Sequence, residues 1–185
     1  MEKIKITKGS KRLKEEIAHL LYDYSRIMTL LNEYDEDILE FNKIEKIESK
    51  TDTIISACLV GVPCRWNGEE KTNKKALKIY AKGNCAAVCP ELMAGLGIPR
   101  NACERVDGKI VDKNGKDHTK QYSIGAKLAL DFIKKNKIKK AILKSGSPTC
   151  GCKTIYSGKF DGKKKKETGV FAEMLKKENI KMTEI

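Results

Sequence analysis

The residues of this chain best suited to chemistry are its thiols. Cys58, Cys64, Cys85, Cys89, Cys103, Cys150 and Cys152 all lie beyond residue 57, and the two histidines, His19 and His118, stand in unrelated contexts. An odd number of cysteines argues against a disulfide framework and for metal binding or thiol chemistry. No two of them have the C-x-x-C spacing of a zinc knuckle. Three share a different context. Cys58 closes the β-branched run TIISAC, Cys89 closes AAVC, and Cys150 follows AIL in the stretch AILKSGSPTCGC. Beside each stand residues made for tight turns: Gly61-Val62-Pro63, Pro90, and Ser147-Pro148 with Gly151.

Elements that alternate must position these thiols. From residue 53 onward the apolar runs TIISAC, AAVCPE and KAILK read as strands. Between them, residues 72–82 (Ala76, Leu77, Tyr80) and 119–136 (Ile124, Leu128, Leu130, Phe132, Ile133) carry helical spacing. Strand and helix in alternation predict an α/β domain: an open, mostly parallel sheet flanked by helices, with right-handed crossovers. In such sheets ligands sit beyond the carboxyl ends of the strands. Cys58, Cys89 and Cys150 would therefore meet at one edge.

Residues 1–52 read differently. Ile17, Leu20, Leu21, Tyr24, Ile27, Met28 and Leu31 recur at steps of three and four behind a candidate N-cap at Ser10. The acidic stretch EYDEDILEFNKIEKIESK then suggests a shorter second helix. The division expected is a helical N-terminal extension over 1–52 and an α/β domain over 53–185.

Composition narrows the function class. A chain of 185 residues with 40% hydrophobic and 34% charged residues builds one core plus an appendage. No apolar run approaches the roughly 20 residues of a membrane span, and the N-terminus lacks a signal core, so no membrane partner and a cytoplasmic location are expected. The net charge of +13 is uneven. Residues 1–53 hold 10 Lys and Arg against 12 Asp and Glu, which leaves the remainder 28 of the 38 basic and 13 of the 25 acidic residues. The cysteine-bearing part is basic, and a phosphate or polyanion ligand is one implication. A solvated lysine-rich surface is the other, since many of these lysines fall in KKNKIKK and DGKKKKE.

Three converging thiolates with no obvious fourth ligand suit an open catalytic metal site, and soft thiolates select zinc, copper(I) or iron–sulfur clusters. Buried cysteines acting as small hydrophobes are the structural alternative. In chain order, SACLVG at 56–61, RWNG at 65–68, CPE at 89–91 with Gly95-Leu96 and Pro99-Arg100, then Lys144 and SPTCG at 147–151, resemble the 2-thiouracil desulfidase family across about residues 53–185. The resemblance implies a 4Fe-4S cluster bound through Cys58, Cys89 and Cys150. It also implies removal of sulfur from a thiolated uracil base or its nucleotide, with tRNA a further conceivable substrate. Cys64, Cys85, Cys103 and Cys152 exceed the family pattern and leave other ligand sets open.

The implied chemistry has a physical basis. A thiocarbonyl sulfur is soft and would bind the cluster's open iron, a Lewis acid, so that water can attack the ring carbon. Glu91, two residues after Cys89, is the candidate base, and Ser147 a candidate hydrogen-bonding group for the ring or the water. Sulfur would remain on the iron as acceptor and leave as hydrogen sulfide, with no net electron transfer. Arg65-Trp66-Asn67-Gly68 is placed to stack on and bond a base, and Arg100 and Lys144 to meet a phosphate. Two rivals stand beside this expectation: a basic RNA-binding protein with structural cysteines, and a zinc or thiol-redox protein.

Overall fold

The computed structural model describes residues 51–185. Eight strands are present among these residues: β1 (Thr53–Ser56), β2 (Cys85–Val88), β3 (Cys103–Val106), β4 (Lys109–Asp112), β5 (Lys140–Leu143), β6 (Ile155–Tyr156), β7 (Lys164–Lys165) and β8 (Lys181–Glu184). The α-helices are α1 (Lys74–Tyr80), α2 (Pro90–Met93), α3 (Thr119–Lys135) and α4 (Val170–Lys177). The sheet order is β2-β1-β5-β8 and every pairing in it is parallel, with Ser56 level with Val88 and Leu143 level with Glu184. This is the α/β architecture expected from the sequence. The extension expected over 1–52 lies almost wholly outside the described residues.

Period-two alternation along the strands divides the core into two layers. Ile54, Ala141 and Leu143 face α3 and α4, where they pack with Ala126, Ala129, Ile133, Phe171 and Leu175. Ile55 and Ile142 face the other way, toward Leu59, Ala76 and Leu92. All four residues of β1 are buried, which is why TIIS reads as a continuous apolar strand rather than an alternating one.

Two short devices set the entrance to the site. Cys89 is the N-cap of α2, with Pro90 at the first helical position, where its missing N–H costs nothing. Helix α3 then packs directly on α2 at Gly125, where an added Cβ would stand 1.9 Å from the Pro90 carbonyl oxygen. Only glycine allows that approach.

The structure also departs from the expectation. Strand β1 stops at Ser56, and Cys58 sits in a 3₁₀ turn at Ala57–Val60. The antiparallel hairpin β3-β4, the edge strand β8 and helix α4 were not foreseen. The strands are short and rich in charge: CERV, KIVD and KMTE carry no apolar run that a periodicity argument can detect. The sequence Gly158-Lys159-Phe160-Asp161-Gly162 with the four lysines after it reads as a basic hairpin or loop, and it forms the turn between β6 and β7.

Candidate active site

In this sheet the strand order reverses between β1 and β5, since β2 lies on one side of β1 and all later strands on the other. The crevice beyond the carboxyl ends at such a switch point is the expected place for a ligand. A cavity of about 400 Å³ occupies it, lined by Cys58 after β1, Cys89 after β2 and Cys150 after β5, together with Cys64, Glu91 and Ser147. Thiols separated by 31 and 61 residues in the chain thus meet.

Each thiol is held by its own local structure. Ser147 accepts hydrogen bonds from the backbone N–H of Thr149 (3.1 Å) and Cys150 (3.0 Å), and Gly151 N–H closes the turn on the Ser147 carbonyl at 3.0 Å. The motif SPTCG is therefore one capped helical turn. A Cβ at Gly151 would lie 2.3 Å from the Thr154 carbonyl oxygen, so glycine is required there too. The amino end of α4 donates into the same turn, Val170 N–H to Pro148 O at 3.0 Å and Phe171 N–H to Thr149 O at 3.0 Å. Across the sheet, the Ser56 hydroxyl accepts from Lys144 N–H at 3.1 Å and reaches the Cys150 sulfur.

The environments of the thiols differ. A hydrogen bond from Cys64 holds the Cys58 thiol below its ordinary range; burial and Glu91 oppose this, while Lys144 and Arg65 reinforce it. Bonds to Cys58 and Cys89, together with burial, push Cys64 well above that range. Burial raises Cys150, with the Ser56 bond acting against it. Lys144 is lowered by burial, Cys58 opposing this, and further by the neighbouring Lys164, Arg65 and Lys71.

Glu91 is firmly fixed. Its Oε1 accepts from the Thr149 hydroxyl at 2.8 Å, and its Oε2 pairs with the Arg100 guanidinium, whose Nε lies at 3.2 Å. Arg100 also donates to the carbonyls of Cys64 (2.9 Å) and Gly97 (3.2 Å). With its donors engaged on protein oxygens, Arg100 orients Glu91 rather than waiting for a phosphate, the role the sequence suggested for it. Lys144 does line the cavity, as do Arg65 and Trp66.

Among the surplus thiols, Cys85 bonds the Ile79 carbonyl at 3.8 Å and lines a separate hollow at the amino ends of the strands. Cys152 packs against the α3-α4 core layer, and its N–H donates to Glu184 at 2.8 Å. Cys103 lies on the cavity wall beside Tyr122. Sequence reasoning did not single out Thr149, Tyr122, Glu104 or Phe160. Thr149 stood inside the SPTCG motif, whereas the others carried no local signal.

The donor set fits an iron–sulfur cluster. Five cysteines, Cys58, Cys64, Cys89, Cys103 and Cys150, line one cavity, and among the described residues no three His, Cys, Asp or Glu side chains form a ready site for a single metal ion.

Fold and site together define a parallel α/β protein with a thiol-lined pocket at its switch point. The profile of the 2-thiouracil desulfurase family matches residues 53–184, and the chain belongs to that family. It is 37% identical over 133 residues to the uncharacterized protein YbbK of Bacillus subtilis (strain 168), an alignment covering 66% of this chain and 88% of YbbK. Its fold is similar to the solved structure of the 4Fe-4S-dependent thiouracil desulfidase TudS, with a TM-score of 0.69 and 36% identity over 73% of this chain and 91% of that one.

Proposed function

We propose that this protein is a desulfidase that exchanges the thiocarbonyl sulfur of a thiolated uracil, as base or nucleotide, for oxygen with the help of a 4Fe-4S cluster. The observation that carries the reading is the meeting of Cys58, Cys89 and Cys150 in one cavity with Glu91. Those three cysteines would hold the cluster, and when bound it supplies a soft Lewis-acidic iron for the thiocarbonyl sulfur.

The chain's own groups do the rest. Glu91 accepts one bond at Oε1 from Thr149, which leaves the second lone pair of that oxygen for a water molecule. From there the carboxylate removes the proton as the water adds to the ring carbon. Arg100 and Thr149 keep the carboxylate aimed. Ser147 spends both lone pairs on backbone N–H groups, so toward the cavity its hydroxyl acts as a donor, suited to a ring carbonyl. Thiocarbonyl and water give carbonyl and hydrogen sulfide, a balance that needs no electrons.

A nucleotide is the favoured form of the substrate. Lys144, half-buried and crowded by Lys164, Arg65 and Lys71, is a cluster of like charge that a phosphate would relieve. A compartment that keeps thiols reduced, such as the cytoplasm, suits seven free cysteines.

Anaerobic reconstitution with iron and sulfide tests the proposal. Wild type should hold about four irons and release sulfide from 2- or 4-thiouracil or their nucleotides without added reductant. Cys58→Ala, Cys89→Ala and Cys150→Ala should lose iron, while Cys64→Ala should keep it. Absence of iron from the wild type, or a requirement for stoichiometric electrons, would sink the reading.

A further inference from the structure

The turn between β6 and β7 is built at some energetic cost around one side chain. Phe160 has φ of 54°, in the left-handed region where a bulky residue is an outlier. Among the described residues, the other non-glycine positions with positive φ have ordinary reasons: Asp107 turns the β3-β4 hairpin, and Lys137 and Asn179 end α3 and α4. Phe160 ends no helix. Its backbone N–H is held by Glu104, whose Oε2 accepts from Phe160 N–H at 3.1 Å and from Gly158 N–H at 2.7 Å. Glu104 is a carboxylate only 7% exposed, placed under the turn by β3. Around it, Ser157 bonds Asp161 at 2.7 Å, and Asp161 accepts from Lys163 N–H at 3.0 Å.

What this frame holds in place is Phe160, an aromatic residue that lines the thiol cavity. Phe160 is half-buried and belongs to neither core layer of the described residues. A side chain that packed only for stability would not need a strained backbone and a buried carboxylate to hold its residue at the edge of a cavity. Strain that the surroundings over-determine, next to a site, points to function.

Resting on the desulfidase reading, we infer that Phe160 is the stacking surface for the pyrimidine ring of the substrate, held there by Glu104 as a positioning residue. A flat heteroaromatic ring offers a π-face whatever its thio position, and base–aromatic stacking is tolerant of substituents. Phe160 thus sets selectivity for a ring, while the polar groups around Glu91 and Ser147 choose among rings. Trp66, also on the cavity wall and 45% exposed, is a second ring available to the same ligand.

The test uses full-length, cluster-loaded protein as wild type, Phe160→Gly, Phe160→Leu and Phe160→Tyr. Calorimetric titration with uridine monophosphate gives Kd, turnover of a thiolated uridine monophosphate gives KM and kcat, and thermal unfolding gives Tm. Phe160→Gly removes the ring and relaxes the backbone. Kd and KM should rise roughly 5- to 150-fold, the range that loss of one stacking face brings. Meanwhile kcat and iron content should hold, and Tm should equal or exceed the wild-type value. Phe160→Leu, which keeps bulk without a π-face, should weaken binding likewise, and Phe160→Tyr should restore it. Unchanged Kd in both the Gly and Leu variants, or a lower Tm with unchanged KM, makes Phe160 a packing residue and overturns the inference. Wild type without iron would end the cluster reading, whereas the uridine monophosphate titration would still decide on Phe160.

Discussion

At the scale of single residues, the carboxylate at the cavity separates chemistry from structure. Glu91 and Arg100 form an ion pair with side chains 15% and 9% exposed, so the two partners should respond differently to substitution. Glu91→Gln keeps an acceptor for Thr149 and a neutral partner for Arg100 but cannot take a proton. Its kcat should fall by about 10²- to 10⁴-fold with iron content unchanged, as read by sulfide release alongside iron counting. Arg100→Ala instead strands a carboxylate and frees the Cys64 carbonyl, which should cost about 3–5 kcal/mol in chemical unfolding. Equal losses of stability in both variants would mean that Glu91 serves the fold and not the reaction. Glu91 was legible in the sequence because it follows Cys89 by two residues. Arg100 was visible as part of the Pro99-Arg100 motif and as a cation, but not as the partner of Glu91, since their nine-residue separation becomes a contact only after α2 and the following loop turn the chain back.

At the scale of elements, three of the four parallel strands and the helices α1 and α3 declared themselves through short apolar runs and through 3.6-residue spacing, whereas β8 and α4 did not. Beyond those, two details of packing were silent in the sequence. Gly125 lies mid-helix in α3, where glycine ordinarily weakens a helix, and only the approach to Pro90 explains it. Gly125→Ala should destabilise by about 1–3 kcal/mol or more through overpacking. It should also displace α2, and with it Cys89 and Glu91, so that lower Tm comes with poorer iron retention. A Tm raised by better helix propensity would refute that packing. The β3-β4 hairpin was equally silent because charges dominate it, yet it carries a buried carboxylate. Bonds from Asn101 and His118, and from the backbone N–H groups of Lys116 and Asn114, hold Asp112 at about 2, below its ordinary 3.8. Because the folded value lies below the unfolded one, Asp112 contributes its full stability above about pH 4 and loses it as pH falls toward 2. Tm measured against pH should therefore show wild type above Asp112→Asn at neutral pH and the two converging in that acid window.

At the scale of the whole molecule, the charge asymmetry read from the sequence meets the site read from the fold. The basic excess lies in the part of the chain that builds the cavity, and Arg65 and Lys144 line its wall. Lys164 stands close by, 5.9 Å from the centroid of the Tyr156 ring, another wall residue. A cleft of one sign attracts ligands of the other over distances that salt screens, with a Debye length of about 10 Å at 0.1 M ionic strength. An anionic thiolated nucleotide should therefore be captured faster than the neutral base, and only the nucleotide should respond to salt. Raising ionic strength from about 0.01 to 0.3 M should lower kcat/KM for the nucleotide by tenfold or more and leave that for thiouracil nearly flat. Lys144→Ala and Lys164→Ala should each flatten the nucleotide's salt dependence without touching the base. If both substrates respond alike, or neither does, the basic excess is a solvated surface and the phosphate has no place at this site.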